Sequence, residues 1–323
     1  MTKVSINLLG WNHKEIVGKA IESVLAQTYR DFELIYTDNA SRDGSVAYVK
    51  ENFPKIRIVE NKENLGYAGG HNQFFRQTQS EFLMVMNPDA CLEKNFLAEA
   101  IQAFSNPDVA SVTGKMLKPD SNILDGTGII LSRTRRAKER GQHEVDRGQF
   151  DDKADIFGVS GTAAIYRKSA LEKVRVPRDE ENIFEYFDED FFAYFEDMDL
   201  AWRLNLGGFK ARFVPKAIVY HARKAGSSPG GFMKFFSFFS HRKTLDQKIR
   251  KWSFKNHLFA IIKNDSGLNL WADLPFILVR EIAMFFFILI FETSTLSVVP
   301  EIIIQLPIIL KKRSYILNNI KVK

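Results

Sequence analysis

Along residues 1–90, short apolar runs alternate with segments whose apolar positions recur at helical spacing. Val4–Leu9, Phe32–Thr37, Ile56–Val59 and Phe82–Met86 read as strands. Between them Lys14–Thr28, Asp43–Asn52 and Gly70–Gln79 read as helices. Strands alternating with helices predict an α/β fold, a mostly parallel sheet covered on both faces. In such a sheet, ligands bind at the carboxyl ends of the strands. Two polar groups fall at those ends, Asp38-Asn-Ala-Ser41 and Asn87-Pro-Asp89.

The pattern loosens after residue 90. Arg133–Gln149 is basic and polar and predicts a mobile loop. Gly158–Tyr166 reads as a turn followed by a strand. Phe187–Arg203 then sets carboxylates at 188, 189, 190, 196, 197 and 199 among aromatic and aliphatic residues. So many acids in an apolar setting predict the lining of a wet cleft, where a proton or a metal is handled. The alternative is an amphipathic helix with a solvated acidic face. Gly207-Gly208 is a helix stop, and Phe209–Val214 with Ala217–His221 reads as a strand pair. The divisions suggested are 1–95, 96–240 and 241–323.

Charge separates the last of these from the rest. Residues 241–323 carry 13 Lys and Arg against 6 Asp and Glu, and the remainder carries 32 against 33. The basic residues flank apolar patches at Pro275–Phe291 and Leu296–Leu310, which is the pattern of a membrane-surface element. A nucleic-acid binder would carry its basic face on the folded body, so that class is set aside. The longest uncharged apolar run, Ile282–Phe291, is half of the roughly 20 residues a span needs, which favours interfacial helices. The single Cys91 excludes a disulfide framework and a thiolate zinc site, and fits a reducing compartment. No signal peptide is evident at the N-terminus.

Four constellations offer chemistry, each with a plain alternative. Asp38 at a strand end suits the imide N–H of a pyrimidine, although Ser41-Arg-Asp-Gly-Ser45 also makes an ordinary turn and helix cap. Asn64-Leu-Gly-Tyr-Ala-Gly-Gly-His-Asn72 is a glycine-rich entry to a helix, whose spacing matches neither a Walker A nor a dinucleotide fingerprint. Asp89, beyond a strand and a rigid Pro, suits a hard cation shared with substrate phosphates, or a simple turn. His221 ends a strand, where a structural role is as open as metal ligation.

In this order, these segments resemble family 2 glycosyltransferases, the inverting GT-A enzymes, and among them the rhamnosyltransferase-like branch. The likeness runs over about residues 3–225. It implies a GT-A sheet with a helical, membrane-surface tail. The donor-binding half would be 1–95 and the acceptor-binding, catalytic half 96–240. Asp38 resembles the acid that reads the donor's pyrimidine, and Asn64, Gly66 and Asn72 part of the donor wall. Asn87-Pro-Asp89 stands at the family's Asp-x-Asp metal motif, so Asp89 would hold Mg²⁺ or Mn²⁺ against the diphosphate. Glu196-Asp197 matches the acidic pair, with Asp197 as general base, and Trp202 and Arg203 complete the motif in support of the acceptor. His221 resembles a histidine that adds a metal contact.

Two departures matter. Asn87 replaces the first Asp of the metal motif, and Gly10-Trp11 replaces the usual Asn-Tyr. Gln247-Lys-Ile-Arg250-Lys-Trp252 is one residue too long for the processive motif, which favours single-sugar transfer. The implied reaction moves a sugar from a nucleotide sugar, dTDP-rhamnose or a UDP-hexose among the candidates, to a glycan or polyprenyl-diphosphate-linked acceptor. It would proceed at the cytoplasmic face of the cell membrane, in bacterial surface-polysaccharide synthesis. A nucleotidyltransferase and a non-catalytic sugar-nucleotide-binding scaffold are the competing classes. A nucleotidyltransferase would carry a more basic phosphate loop than Leu8-Leu-Gly-Trp-Asn12.

Overall fold

The structure is a computed structural model and describes residues 3–178, 183–222 and 235–322. Its first elements are β1 (Val4–Gly10), α1 (Lys14–Leu25), β2 (Phe32–Asp38), α2 (Ser45–Asn52), β3 (Arg57–Glu60), α3 (Gly66–Gln77) and β4 (Phe82–Met86). β1 is buried at every position and pairs in parallel with β2 on one side and β4 on the other. That double coverage buries every side chain of β1, and the polar Ser5 and Asn7 are satisfied by side-chain bonds to Glu33, Ser80, His71 and Thr37. α1 stops at Leu25, before the expected Thr28, and Gln27 is turned instead to Ser23 O, Glu93 O and Leu97 N.

The second half supplies β5 (Ala90–Leu92), α4 (Phe96–Gln102), β6 (Val109–Leu117), β7 (Leu124–Gly126), β8 (Ile129–Leu131), β9 (Ala137–Glu139) and β10 (Asp155–Ile156). It continues with β11 (Ala163–Arg167), α5 (Lys168–Val174), β12 (Val176–Pro177), β13 (Phe184–Glu185), α6 (Glu196–Leu206) and β14 (Lys210–His221). The strand order is β10-β14-β6-β11-β4-β1-β2-β3. β11 runs antiparallel between β4 and β6, so one mixed, mostly parallel sheet crosses both halves. Helices cover it.

Two expectations are corrected here. The strand pair at 209–221 is a single strand. Its register against β6 shifts between Val214 and Ile218, so a bulge takes up Pro215, which cannot donate to a ladder. The segment 133–149 is not a free loop. β8 and β9 form a hairpin, and the buried Arg135 donates to Asp265 at 2.6 Å and to Asp273 at 2.7 Å.

The tail forms α7 (Phe235–Thr244), α8 (Gln247–Asn264), α9 (Leu268–Phe291) and α10 (Val299–Tyr315). It grips the body through buried charge. Lys263 reaches Asp188 and, at 2.8 Å, Asp199. Lys312 reaches Glu185 at 2.5 Å and both Asp188 and Asp190 at 2.7 Å. Glu189 pairs with Arg76 and Arg178. Most acids of the 187–203 segment therefore bind cations, several of them from the tail, and do not line a wet cleft. Buried carboxylates have to be paired, and the sequence hid the partners some 60 to 125 residues downstream.

Burial and then the charge of Asp188 push the Glu185 carboxyl up to about 7, against the pull of Lys312. Between the unfolded carboxylate value and 7, the folded chain holds the extra proton, so this group's contribution to stability is lost as pH rises through 7. Glu185→Gln is expected to shrink the stability difference between pH 5 and pH 8 by on the order of 2–3 kcal/mol, measured by urea unfolding at both values.

Candidate active site

Parallel pairing sets the polar groups side by side. Gly10 pairs with Asp38 and Leu8 with Met86, so Asp38 and Asn87-Pro-Asp89 leave the two strands that flank β1, at one edge. Asp38 is buried and accepts the Ser41 N–H at 2.8 Å and the Tyr36 hydroxyl at 3.1 Å. Beside it, Asn39 donates to Asn64 Oδ1 and Gly66 O and accepts from Asn61 and Leu65. Asn64 Oδ1 also accepts the Gly66 N–H at 2.8 Å, which starts α3 at Gly66, ahead of the expected Gly70. Gly66 has φ +71, and a Cβ there would lie 2.4 Å from Phe192 O. The segment before α6 therefore packs directly on the donor-side loop.

Asn72 is not brought to this edge. Its amide donates to Phe187 O and Glu189, and its oxygen accepts from the Tyr186 and Phe187 N–H groups. It clamps the acidic segment onto α3. Arg203 is likewise fully buried and donates to Val174 O, Tyr186 O and Asp199. Trp202 packs in the core with Phe191, Met198 and Phe259. Both are packed into the core.

Asp197 reaches the edge through β11. Its Oδ2 accepts the Gly161 N–H at 3.3 Å, and the Asn87 N–H donates to Thr162 O at 2.9 Å. Residues 197 and 87–89 are thus joined through two successive residues of one strand entry. Asp197 sits in the first turn of α6, where the free N–H groups favour a carboxylate. Its neighbour Glu196 is buried, and Oε2 has no hydrogen-bond partner among the described residues. Burial and then the charge of Asp197 push its carboxyl well above the usual range. That rise favours the protonated form of Glu196.

β14 delivers His221, which pairs across to Ala90 in β5. Its Nε2 lies 3.3 Å from Asp89 Oδ1, and its Nδ1 lies 2.8 Å from Asp125. Apart from this imidazole, no described group donates to Asp89 Oδ1. An unprotonated Nε2 and this oxygen can share a cation. Ligands at right angles on ~2.1 Å bonds lie about 3 Å apart, so the pair fits an ion of Mg²⁺ or Mn²⁺ size. Asp125 is placed to orient the His221 ring. Among the described residues no group of three or more His, Cys, Asp or Glu could hold a metal alone, so phosphate oxygens would complete the shell. Burial pushes the Asp89 carboxyl up, but His221 outweighs it and holds the group below its usual value.

Sequence reasoning missed Asn39 and Asp125. Asn39 directly follows Asp38 after a strand and was open to inspection. Asp125 lies on a short strand with no local signal.

A mixed, mostly parallel sheet flanked by helices, with an acidic edge at its strand ends, is a GT-A-like architecture. The chain belongs to glycosyl transferase family 2, whose model matches residues 10–175. Asp197 and His221 lie beyond that span. The chain is 24% identical over 243 residues to the N-acetylglucosaminyl-diphospho-decaprenol L-rhamnosyltransferase of Mycobacterium tuberculosis, covering 66% of this chain and 74% of that one. It is 27% identical over 226 residues to the poly-beta-1,6-N-acetyl-D-glucosamine synthase of Staphylococcus epidermidis, covering 67% of this chain and 49% of that one. It thus spans about half the length of the synthases it matches. In fold it is similar to the mannosyltransferase PcManGT from Pyrobaculum calidifontis in complex with GDP-Man and Mn²⁺. The TM-score is 0.56 at 15% identity, over 98% of this chain and 85% of that one.

Proposed function

We propose that the protein transfers a single sugar, with inversion, from a nucleoside-diphosphate sugar to a hydroxyl of a glycan or polyprenyl-diphosphate-linked acceptor. The observation that carries this reading is the convergence of Asp38, the Asp89–His221 pair and Asp197 on one sheet edge. Asp38 and the Asn39–Asn64–Gly66 loop take the nucleotide. The acceptor oxygen attacks the anomeric carbon, its proton passes to Asp197, and the bond to the diphosphate breaks on the opposite face. A divalent cation bound at Asp89 and His221 would neutralise the departing diphosphate. No second carboxylate is needed as general acid, because the diphosphate departs as an anion. Glu196, pushed toward its protonated form and with no partner for Oε2 among the described residues, is suited to donate a hydrogen bond beside the base.

The tail supports an acceptor held at a membrane surface. α9 runs unbroken for 24 residues, longer than the separate patches the sequence suggested. α9 and the α10 segment are long and apolar enough to cross a membrane. Their placement favours lying along it. α9 buries Ile277, Met284, Phe287 and Ile288 and exposes Trp271, Val279, Ile282 and Ile290, while α10 is tied to the body through Lys312. The M. tuberculosis relative, named for a decaprenol-linked acceptor, supports the same direction.

The test is thermal shift with a panel of dTDP- and UDP-sugars, with and without Mn²⁺. A ligand at about 100 times its Kd stabilises the native state by about 2.7 kcal/mol. At least one sugar nucleotide is expected to raise the melting temperature, more so with Mn²⁺, and Asp89→Ala is expected to abolish the Mn²⁺-dependent part. A panel without any shift in either condition overturns the reading.

A further inference from the structure

The backbone leading into α6 is strained in a way the proposed reaction does not by itself explain. Phe192, Tyr194 and Phe195 have φ of 61°, 71° and 73°. Bulky residues seldom adopt the left-handed region, and a run of them persists only where the surroundings impose it. Phe195 is the last residue before α6, and its carbonyl accepts the Asp199 N–H at 2.9 Å, the bond that sets the first turn. The direction of the Asp197 side chain therefore depends on this left-handed entry.

What imposes it is one face of α8, far away in sequence. Asn256 is fully buried, and its amide donates to the carbonyls of Phe191 at 2.9 Å, Ala193 at 3.0 Å and Tyr194 at 2.8 Å. Two N–H bonds thus serve three backbone acceptors that no regular element would satisfy. Its neighbours grip the same segment. Lys255 donates to Asp190 O at 2.9 Å, Trp252 packs on Phe192 with ring centres 4.9 Å apart, and His257 meets the Phe195 ring edge-on at 5.4 Å. On the other side, Phe192 O accepts the Ala68 N–H of α3 at 3.1 Å. The 191–195 segment is held between the donor-side helix and the tail.

From this we infer that Asn256 is a positioning residue for the base, so that α8 belongs to the active-site machinery as well as to the membrane-facing tail. The inference rests on the reading of Asp197 as general base. Without the amide, the three carbonyls lose their common donor, the segment relaxes toward right-handed conformations, and the first turn of α6 rotates away from Gly161 and the acceptor. Asn256→Asp is the sharpest variant, since it keeps the shape and sets a carboxylate against three carbonyl oxygens.

The experiment measures nucleoside-diphosphate release from dTDP-rhamnose and UDP-hexoses by the full chain, across pH. Asn256→Asp and Asn256→Ala are expected to lower kcat by roughly 30- to 100-fold, the scale of an ångström of misplacement. Donor KM and calorimetric binding of dTDP or UDP are expected to stay within about twofold, since that site is built from β1, β2 and α3. The acid limb of the kcat profile is expected to move to higher pH as Asp197 loses the Gly161 N–H. Leu97→Ala, in the α4 core remote from α8, controls for stability alone and is expected to lower the melting temperature with kcat intact. If Asn256→Asp does not fold, Asn256→Ser carries the same decision. Folded Asn256 variants with wild-type kcat and an unmoved acid limb overturn the inference, as does an equal kcat loss in Leu97→Ala. Active Asp197→Asn would instead remove the base reading, whatever Asn256 does.

Discussion

Asp197→Asn is expected to lower turnover by roughly 10²–10⁴-fold while nucleotide binding stays within about twofold, the range a positioned general base contributes. The amide keeps the size of the carboxylate and can still accept from Gly161 N–H, so the edge geometry is preserved. What it lacks is a basic lone pair for the acceptor proton. The neighbour provides the contrast. Burial and the charge of Asp197 push the Glu196 carboxyl up, toward the protonated form that Gln matches in size and charge. Glu196→Gln is therefore expected to cost on the order of tenfold or less. Steady-state rates of the two variants, with calorimetric binding of dTDP or UDP, separate the roles. A slow Glu196→Gln beside an active Asp197→Asn would reverse the assignment of the base.

Legibility followed the range of the physics. β4 is a continuous apolar run and β1 and β2 are largely apolar because all three lie inside the sheet, and that pattern is local. Parallel pairing then follows from the intervening helices, and with it the placement of Asp38 and Asp89 at one edge. His221 was visible at a strand end, yet its partner Asp125 was not, since the contact joins β7 to β14 across 96 residues. The acidic segment misled for the same reason. A dense set of carboxylates looks solvated when its counter-charges are out of view, and Lys263 and Lys312 lie in helices that otherwise read as apolar tail. Asn72 shows the converse error. A polar residue in a glycine-rich helix entry suggested the ligand, while its amide and oxygen close on the Tyr186–Glu189 backbone and side chains.

That hidden network carries the largest expected effect on stability. Lys312→Ala is expected to destabilise the fold by roughly 3–5 kcal/mol, since removing one partner leaves buried charge uncompensated. Lys312 is 5% exposed and bridges Glu185, Asp188 and Asp190, of which Asp188 keeps only Lys263 once the ammonium is gone. The exposed pair Lys50–Glu60 has similar geometry at 2.7 Å, but both side chains are more than half solvated. Lys50→Ala is expected to change stability by about 0.5 kcal/mol or less, because water screens the pair and competes for it. Acid should narrow the Lys312→Ala deficit. As pH falls below about 7, Glu185 takes up a proton, and one of the charges that Lys312 compensates disappears. Urea midpoints at pH 8 and pH 5.5 read both effects. A Lys312→Ala deficit no larger than that of Lys50→Ala would mean the tail is attached by its apolar contacts, with the buried ion network contributing nothing to its hold on the body.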